Sequence, residues 1–462
     1  MKYRPYSRYK RGAVEWLGDV PEHWQSISLK WLSIRYAGGT PDRANESYWD
    51  DGTIPWINSG AVNQAVITEP SALISEEGYV NSSAKWVPKG ALVMALAGQG
   101  KTKGMVAQLG IRTTCNQSMA AIVPNPSTNG RFLYWLLVSQ YEQIRNMAGG
   151  EQRDGLNLDI LGSIPCMTLP MEEQCAIADF LDHETAKVDA LVTRERTLID
   201  RLREKSTALI SRTVTRGLPP DAARAAGLDP YPKLKPSGIK WLGDVPAHWQ
   251  VKPLKHAVRF IEGPGIMAAD FTDDGVPLLR IASIVSRIAT LDGCNYLSAN
   301  RVAEKWSHFR VRRGDLLISG SASTGFCSEV DEITEGAIPY TGIIIIRPLP
   351  RVAEKMFARW FFLSKAFLTQ AELARSGSTI QHFGPSHLAR MIVPLAAISE
   401  QQAIADFLDH ETAKIDRMVT KVETVIERLK EYRTALINAA VTGKIDVRGQ
   451  AADNRQELAT AS

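Results

Sequence analysis

The stretch from Ala95 to Thr102, ALAGQGKT, places Gly100, Lys101 and Thr102 in the order a phosphate-binding loop needs. Such a loop reads G-x-x-x-x-G-K-[ST], because glycine freedom lets backbone amides surround a phosphate while the lysine meets its charge. Ala95 stands where the first glycine is required, and the matching stretch further on, ISGSASTGF, has no lysine. Nucleotide chemistry is therefore not expected. A basic loop able to meet a nucleic-acid backbone is. His382 and His387 in HFGPSH give two imidazoles without a nearby third ligand, short of a metal set. His183 and His410 lie in a repeated, apolar-patterned segment, where a surface or interface histidine is expected. DPYP from Asp229 has the wrong order for an amino-methyltransferase motif, and no Gly-rich loop accompanies it. The five cysteines are odd in number and widely spaced, with no C-x-x-C, which fits reduced thiols. The chain is read as non-catalytic, with no cofactor or metal of its own.

What remains is a set of loops rich in Gly, Ser, Gln and Arg. The first half has GGTPDR, NSGAVNQ, GQGKTKG and GGEQRDGLN; the second has GPG, SGSAST and SGSTIQH. Arg or Lys suits guanine, Asn or Gln suits adenine, and cations with main-chain amides hold phosphates, so this composition fits contact with duplex DNA. A net charge of +4 permits such a partner without demanding it. No apolar run approaches the ~18 residues that cross a bilayer, and MKYRPYSRYKRG leads into no apolar signal core. A cytoplasmic protein without membrane contact is expected.

The elements that must position these loops come in two copies. WLGDVPEHWQ from Trp16 returns as WLGDVPAHWQ from Trp241, and IADFLDHETAKVD from Ile177 returns as IADFLDHETAKID from Ile404. LIDRLREKSTALISRTVTRG from Leu198 answers VIERLKEYRTALINAAVTGK from Val425. Between these fixed flanks the copies diverge, as a constant frame holding two different readers would. The expected division is 1–169 and 241–398 as the two readers, 170–216 and 399–444 as helical segments, 217–240 as a Pro-rich linker and 445–462 as a tail.

The interiors read as mixed α/β, short β-branched runs alternating with Gly, Asn and Pro turns. After Pro170 and Ser399 the pattern turns helical. Ser399 and Gln402 have capping-box spacing, the first copy lacks that serine, and Asp182 and Asp409 are possible second starts. Whether each helix is continuous there is left open. Ile415, Met418, Val422, Val425, Leu429, Tyr432 and Leu436 keep a heptad seam, matched by Val188, Leu191, Glu195, Leu198, Leu202, Lys205 and Leu209. The simplest partner for each seam is the other copy, packed antiparallel about a pseudo-twofold axis, with Glu195 and Lys205 setting the register. The alternative is two amphipathic helices, each on its own domain.

This repeated frame resembles the specificity subunits of type I restriction-modification systems. The resemblance rests on the two WLGDVP-x-HW starts, GGTPDRANESYWDDGTIPWINSG, LPMEEQCAIADFLDHETAKVD with ISEQQAIADFLDHETAKID, and VTGKIDVRG at the end. It implies an α+β fold: two target recognition domains joined by two long antiparallel helices as a coiled coil with an internal repeat. It implies that the chain reads an asymmetric, bipartite double-stranded DNA site and docks two methyltransferase subunits. Two motor-nuclease subunits would complete the assembly, and S-adenosylmethionine, ATP and Mg would serve those partners. Helices of about 34 residues would span ~50 Å at 1.5 Å per residue. The residues then expected to face DNA are Thr40, Arg43, Asn63, Gln64, Gln99, Lys101, Lys103, Gln152, Arg153 and Asn157 in the first domain. Those in the second are Ser321, Ser323, Thr324, Ser378, Gln381 and His382. Phe180, Leu181, Val188, Leu202, Leu209, Phe407, Leu408, Ile415, Leu429 and Leu436 are expected to pack the helices or dock partners. The second domain departs from the GGTP opening, with IEGPG in its place. A coiled-coil scaffold whose domains bind protein is the competing reading.

Overall fold

The computed structural model describes residues 3–12, 14, 18–98, 101–147, 155–320, 325–376 and 383–449, with 375 and 376 described as backbone only. Two long helices run unbroken, Met171–Arg216 with 46 residues and Ile398–Val441 with 44. They exceed the expected length by about three turns because neither restarts at its aspartate. Asp182 and Asp409 lie mid-helix, each accepting a tryptophan indole N–H: Trp135 at 2.8 Å and Trp360 at 3.0 Å. The expected capping box does not form. The second helix already includes Ile398, so Ser399 lies in its first turn, and Gln402 Nε2 donates to Asp406 instead.

The chain divides into two compact units, Met1–Arg194 with Thr424–Ser462, and Glu195–Glu423. Both divisions fall inside long helices, so each unit holds one domain and a segment of each helix. In the first unit Ile177, Phe180 and Leu181 share a core with Leu436, Ile437, Ala440 and Val441, and Arg433 Nε donates to Asp189 at 2.9 Å. In the second, Ile210 and Val214 share a core with Ile404, Ala405 and Leu408, and Arg203 meets Glu423 at 3.7 Å. Early residues of one segment meet late residues of the other, so within each unit the segments run antiparallel.

The seam keeps alternating spacing but shifts at every second position. Val192, Ile199 and Ser206 take the inward places expected for Leu191, Leu198 and Lys205; Val419, Ile426 and Arg433 take those of Met418, Val425 and Tyr432. The pattern misleads because both neighbours are apolar at most of these steps. Leu191, Leu198, Met418, Val425 and Tyr432 are exposed. Glu195 is half-buried, whereas Lys205 is exposed and cannot set a register from inside the seam. Phe180, Leu181, Val188, Leu408, Ile415 and Leu436 are buried; Leu202, Leu209, Phe407 and Leu429 are half-buried.

The first domain has a five-stranded sheet in the order Ser33–Ala37, Met119–Pro124, Leu92–Ala95, Val106–Leu109, Val66–Ile67. A three-stranded sheet of Thr114–Cys115, Ile54–Ile57 and Ala72–Ile74 packs a separate tryptophan-rich core. The second domain repeats the plan with four strands, Val258–Glu262, Ile343–Pro348, Leu316–Ser319 and Cys327–Glu329, and a second four-stranded sheet. The segment expected as a linker is partly folded: it carries the helix Pro220–Ala225, and Leu234–Pro236 pairs antiparallel with Asp244–Pro246.

Candidate nucleic-acid interface

The repeated motifs explain how each domain is fixed to a long helix. In the first unit the carboxylate of Glu173, in the opening turn of the helix and only 4% exposed, accepts from Trp24 Nε1 at 3.1 Å and meets His23 Nε2 at 2.9 Å. In the second, Glu400 is 8% exposed and meets Trp249 at 3.0 Å and His248 at 2.8 Å. Neighbouring glutamines act as second clips. Gln174 donates to the carbonyls of Leu169 and Ser127 and accepts from Asn129 N; Gln401 donates to those of Ala396 and Val352 and accepts from Glu354 N. A buried polar group left unpaired costs ~1–3 kcal/mol, so these clips specify one seating of domain on helix. Sequence reasoning missed these residues. The repeated HW and EQ pairs were the available signal.

On this joint stand the loops. Gly38 is required by close approach: a Cβ there would lie 2.0 Å from the carbonyl oxygen of Cys115. Gly263 is its counterpart, where a Cβ would lie 2.3 Å from the carbonyl oxygen of Pro339, so the second domain keeps the tight crossing despite losing GGTP. Past Gly38 the first domain presents Thr40, bonded to Gln117, and then exposed Arg43, whose guanidinium lies 5.4 Å from the ring centre of Trp49 and 5.7 Å from that of Trp56. Trp56 and Trp49 donate to the carbonyls of Gly39 and Asp42, both at 3.0 Å, so the platform is tied to the loop it supports. Exposed Arg112 stacks on Trp86 at 4.1 Å. In the second domain Arg280 lies 4.0 Å from the ring centre of Tyr340 and donates to Asn295 at 3.3 Å. A stacked guanidinium is held in one plane with N–H edges still available, the geometry that a bidentate contact to guanine uses. Arg112 and Arg280 were missed because their aromatic partners are remote in sequence.

Exposed Asn63, Gln64 and Lys101 come together at a cavity of about 340 Å³ walled by Met105, Val106, Tyr134, Val138 and Tyr141. Lys103 does not join them. It is 7% exposed, which corrects its expected place on a DNA-facing surface: a buried ammonium cannot reach phosphate without the loop moving. Asn157 is exposed, and its side chain accepts from Ile160 N at 2.8 Å as a helix cap. Gln99, Gln152, Arg153, Ser321, Ser323, Thr324, Ser378, Gln381 and His382 lie outside the described residues.

The phosphate-loop lookalike has the wrong context. Ala95 ends a strand, and the chain after Thr102 enters the strand Val106–Leu109 where a phosphate loop would enter a helix. Among the described residues no group of three or more His, Cys, Asp or Glu could hold a metal, and no helix is long and apolar enough to cross a membrane. Burial pushes the thiols of Cys115, Cys166 and Cys327 up to about 12, which makes them poor nucleophiles.

A family model for the type I restriction modification DNA specificity domain matches residues 21–201. That stretch is similar to the specificity domain. Similarity extends further: the MjaVIII specificity subunit of Methanocaldococcus jannaschii is 20% identical over 437 residues, 93% of this chain and 94% of that protein. The EcoR124I/EcoR124II specificity subunit of Escherichia coli is 27% identical over 143 residues, 30% of this chain and 32% of its own length. A chain from a structural account of complex assembly and conformational transition in the type I R-M system shares the fold. Its TM-score is 0.64 at 17% identity, covering 92% of this chain and 99% of that one. The type I specificity-subunit family named by the repeated frame is thus the family that the matches name.

Proposed function

We propose that the chain is the DNA-reading subunit of a type I restriction-modification complex, each unit reading one half of an asymmetric bipartite site. The observation that carries the reading is a pair of matching helix joints, at Glu173 and Glu400, under two unlike arginine platforms, at Arg43 and Arg280. The shared Glu, Trp and His contacts give each domain a like seating on its helix, and different platforms give them different bases to prefer. Stacked arginines would read base edges, while Asn63, Gln64 and Lys101 would supply polar and cationic contacts at the first half-site.

The long helices would set the interval between half-sites and dock two methyltransferase subunits. Their exposed apolar residues, Leu191 and Leu198 on one and Met418, Val425 and Tyr432 on the other, offer the apolar surface such a partner needs. Catalysis, with S-adenosylmethionine and with ATP and Mg, would belong to methyltransferase and motor-nuclease partners acting in the cytoplasm. The test is selection from a randomised duplex pool by the chain together with its methyltransferase subunits. Two short, unlike motifs at a fixed interval, bound with a steep salt dependence, are expected; salt-insensitive binding without sequence choice would favour a protein scaffold.

A further inference from the structure

The two helix joints differ in one respect that the repeat makes visible. In the first unit Glu173 has a third partner: Tyr6, 6% exposed, donates its hydroxyl to Oε1 at 2.6 Å. Its ring packs edge-on to Trp24 at 5.9 Å, and the Arg448 guanidinium lies 5.0 Å from its centre. The chain then forms the strand Tyr9–Arg11, registered with Tyr9 opposite Pro21.

The second unit repeats this entry residue for residue. Leu234–Pro236 is registered with Leu234 opposite Pro246, as Tyr9 is with Pro21. The turn bond from Glu22 N to the Arg8 carbonyl has its equal from Ala247 N to that of Lys233. Three residues before each strand stands the same dipeptide, Pro5-Tyr6 in one copy and Pro230-Tyr231 in the other. Yet Tyr231 is 71% exposed, its ring 5.9 Å from the Arg224 guanidinium. Beside Glu400, where a counterpart of Tyr6 would sit, is a cavity of about 260 Å³ bordered by Arg216, Ala223, Leu228, Asp229, Pro232 and His248.

We propose that this cavity is a tyrosine seat and that its occupant is Tyr231 of the same chain. The second unit has a closed arrangement in which the Tyr231 hydroxyl donates to Glu400 as that of Tyr6 donates to Glu173. The volume admits a phenol ring, the carboxylate offers an acceptor already aligned by His248 and Trp249, and the bordering Asp229 and Pro232 lie two and one residues from Tyr231. Closure would strap the segment 217–240 to the first turn of the second long helix, adding the third bond that the first joint already has. The inference rests on the internal comparison and is independent of what the domains read.

The full-length chain supplies its own control. Tyr6→Phe, which removes one buried hydroxyl, lowers the melting temperature by roughly 2–4 °C. If Tyr231 takes its seat, Tyr231→Phe gives a fall of the same order, this fall disappears in a Glu400→Ala background, which has no side-chain acceptor, and tetranitromethane modifies Tyr231 several-fold more slowly than a free peptide of residues 227–235. An unchanged melting temperature in both backgrounds, or nitration of Tyr231 at the peptide's rate, overturns the proposal.

Discussion

The Glu173 joint and the Arg43 platform belong to one domain, as the Glu400 joint and the Arg280 platform belong to the other, and the two kinds of region behave differently across the repeat. At the joints His, Trp, Glu and Gln recur with nearly the same distances. At the platforms nothing recurs but the kind of contact, an arginine over an aromatic ring. The cavity of the first domain shows the same freedom. At positions matching its Ala65, Val106 and Tyr134 the second domain has Arg287, Cys327 and Arg359. Arg359 is 6% exposed with Nε and Nη1 unpaired, and burial lowers the affinity of its guanidinium for its proton. A joint must satisfy buried polar atoms and so tolerates few solutions, whereas a reading surface meets water and can change as long as its loops stay anchored.

The joints offer the largest effect by which to break this comparison. Glu173→Ala strands donors from Tyr6, Trp24 and His23 in a buried site and is expected to cost about 3–5 kcal/mol in denaturant unfolding. Glu400→Ala strands donors from Trp249 and His248, with Tyr231 as a third when seated, and is expected to cost about as much. A loss below about 1 kcal/mol at either site would show that its carboxylate does not hold the domain to the helix.

Next come paired substitutions one residue apart on the second helix. Ile426→Glu places a charge in the seam and is expected to destabilise by about 2–4 kcal/mol. Val425→Glu is expected to change stability by no more than about 0.5 kcal/mol while weakening methyltransferase-subunit capture roughly tenfold or more in pull-down titrations. The reverse ranking would restore the seam expected from the heptad pattern.

Smaller effects sharpen the contrast between platforms. Arg43→Ala and Arg280→Ala are each expected to cost about 1–3 kcal/mol of discrimination at one half-site and nothing at the other, measured by competition with duplexes altered in one half. Smallest is thiol labelling at pH 8. Half-buried Cys175 and Cys294 should react well before Cys115, Cys166 and Cys327, whose thiols burial holds near 12 and which should label only on unfolding.

The long helices, the α/β interiors and the two-copy frame were legible in the sequence because each is written over tens of residues as periodicity or repetition. Finer choices were not. At Leu191-Val192 and Val425-Ile426 two adjacent apolar residues compete for one inward place, and spacing alone cannot choose between them. Asp182 and Asp409 read as caps because acidic residues favour helix starts; their actual partners, Trp135 and Trp360, are 47 and 49 residues away. For the candidate interface, composition pointed to Arg43, Asn63, Gln64 and Lys101, all exposed in the structure, but also to Lys103, which is buried. Arg112 and Arg280 were invisible because what distinguishes them is the aromatic ring beneath, supplied by a distant part of the chain.

The central claim, that each unit reads its own half of one site, is tested most directly by mapping methylated adenines in DNA from cells that express the chain with its methyltransferase subunits, alongside Arg43→Ala and Arg280→Ala. The account predicts an asymmetric bipartite motif in which each substitution relaxes one half and leaves the other intact. A continuous palindrome, or one substitution relaxing both halves alike, would contradict it.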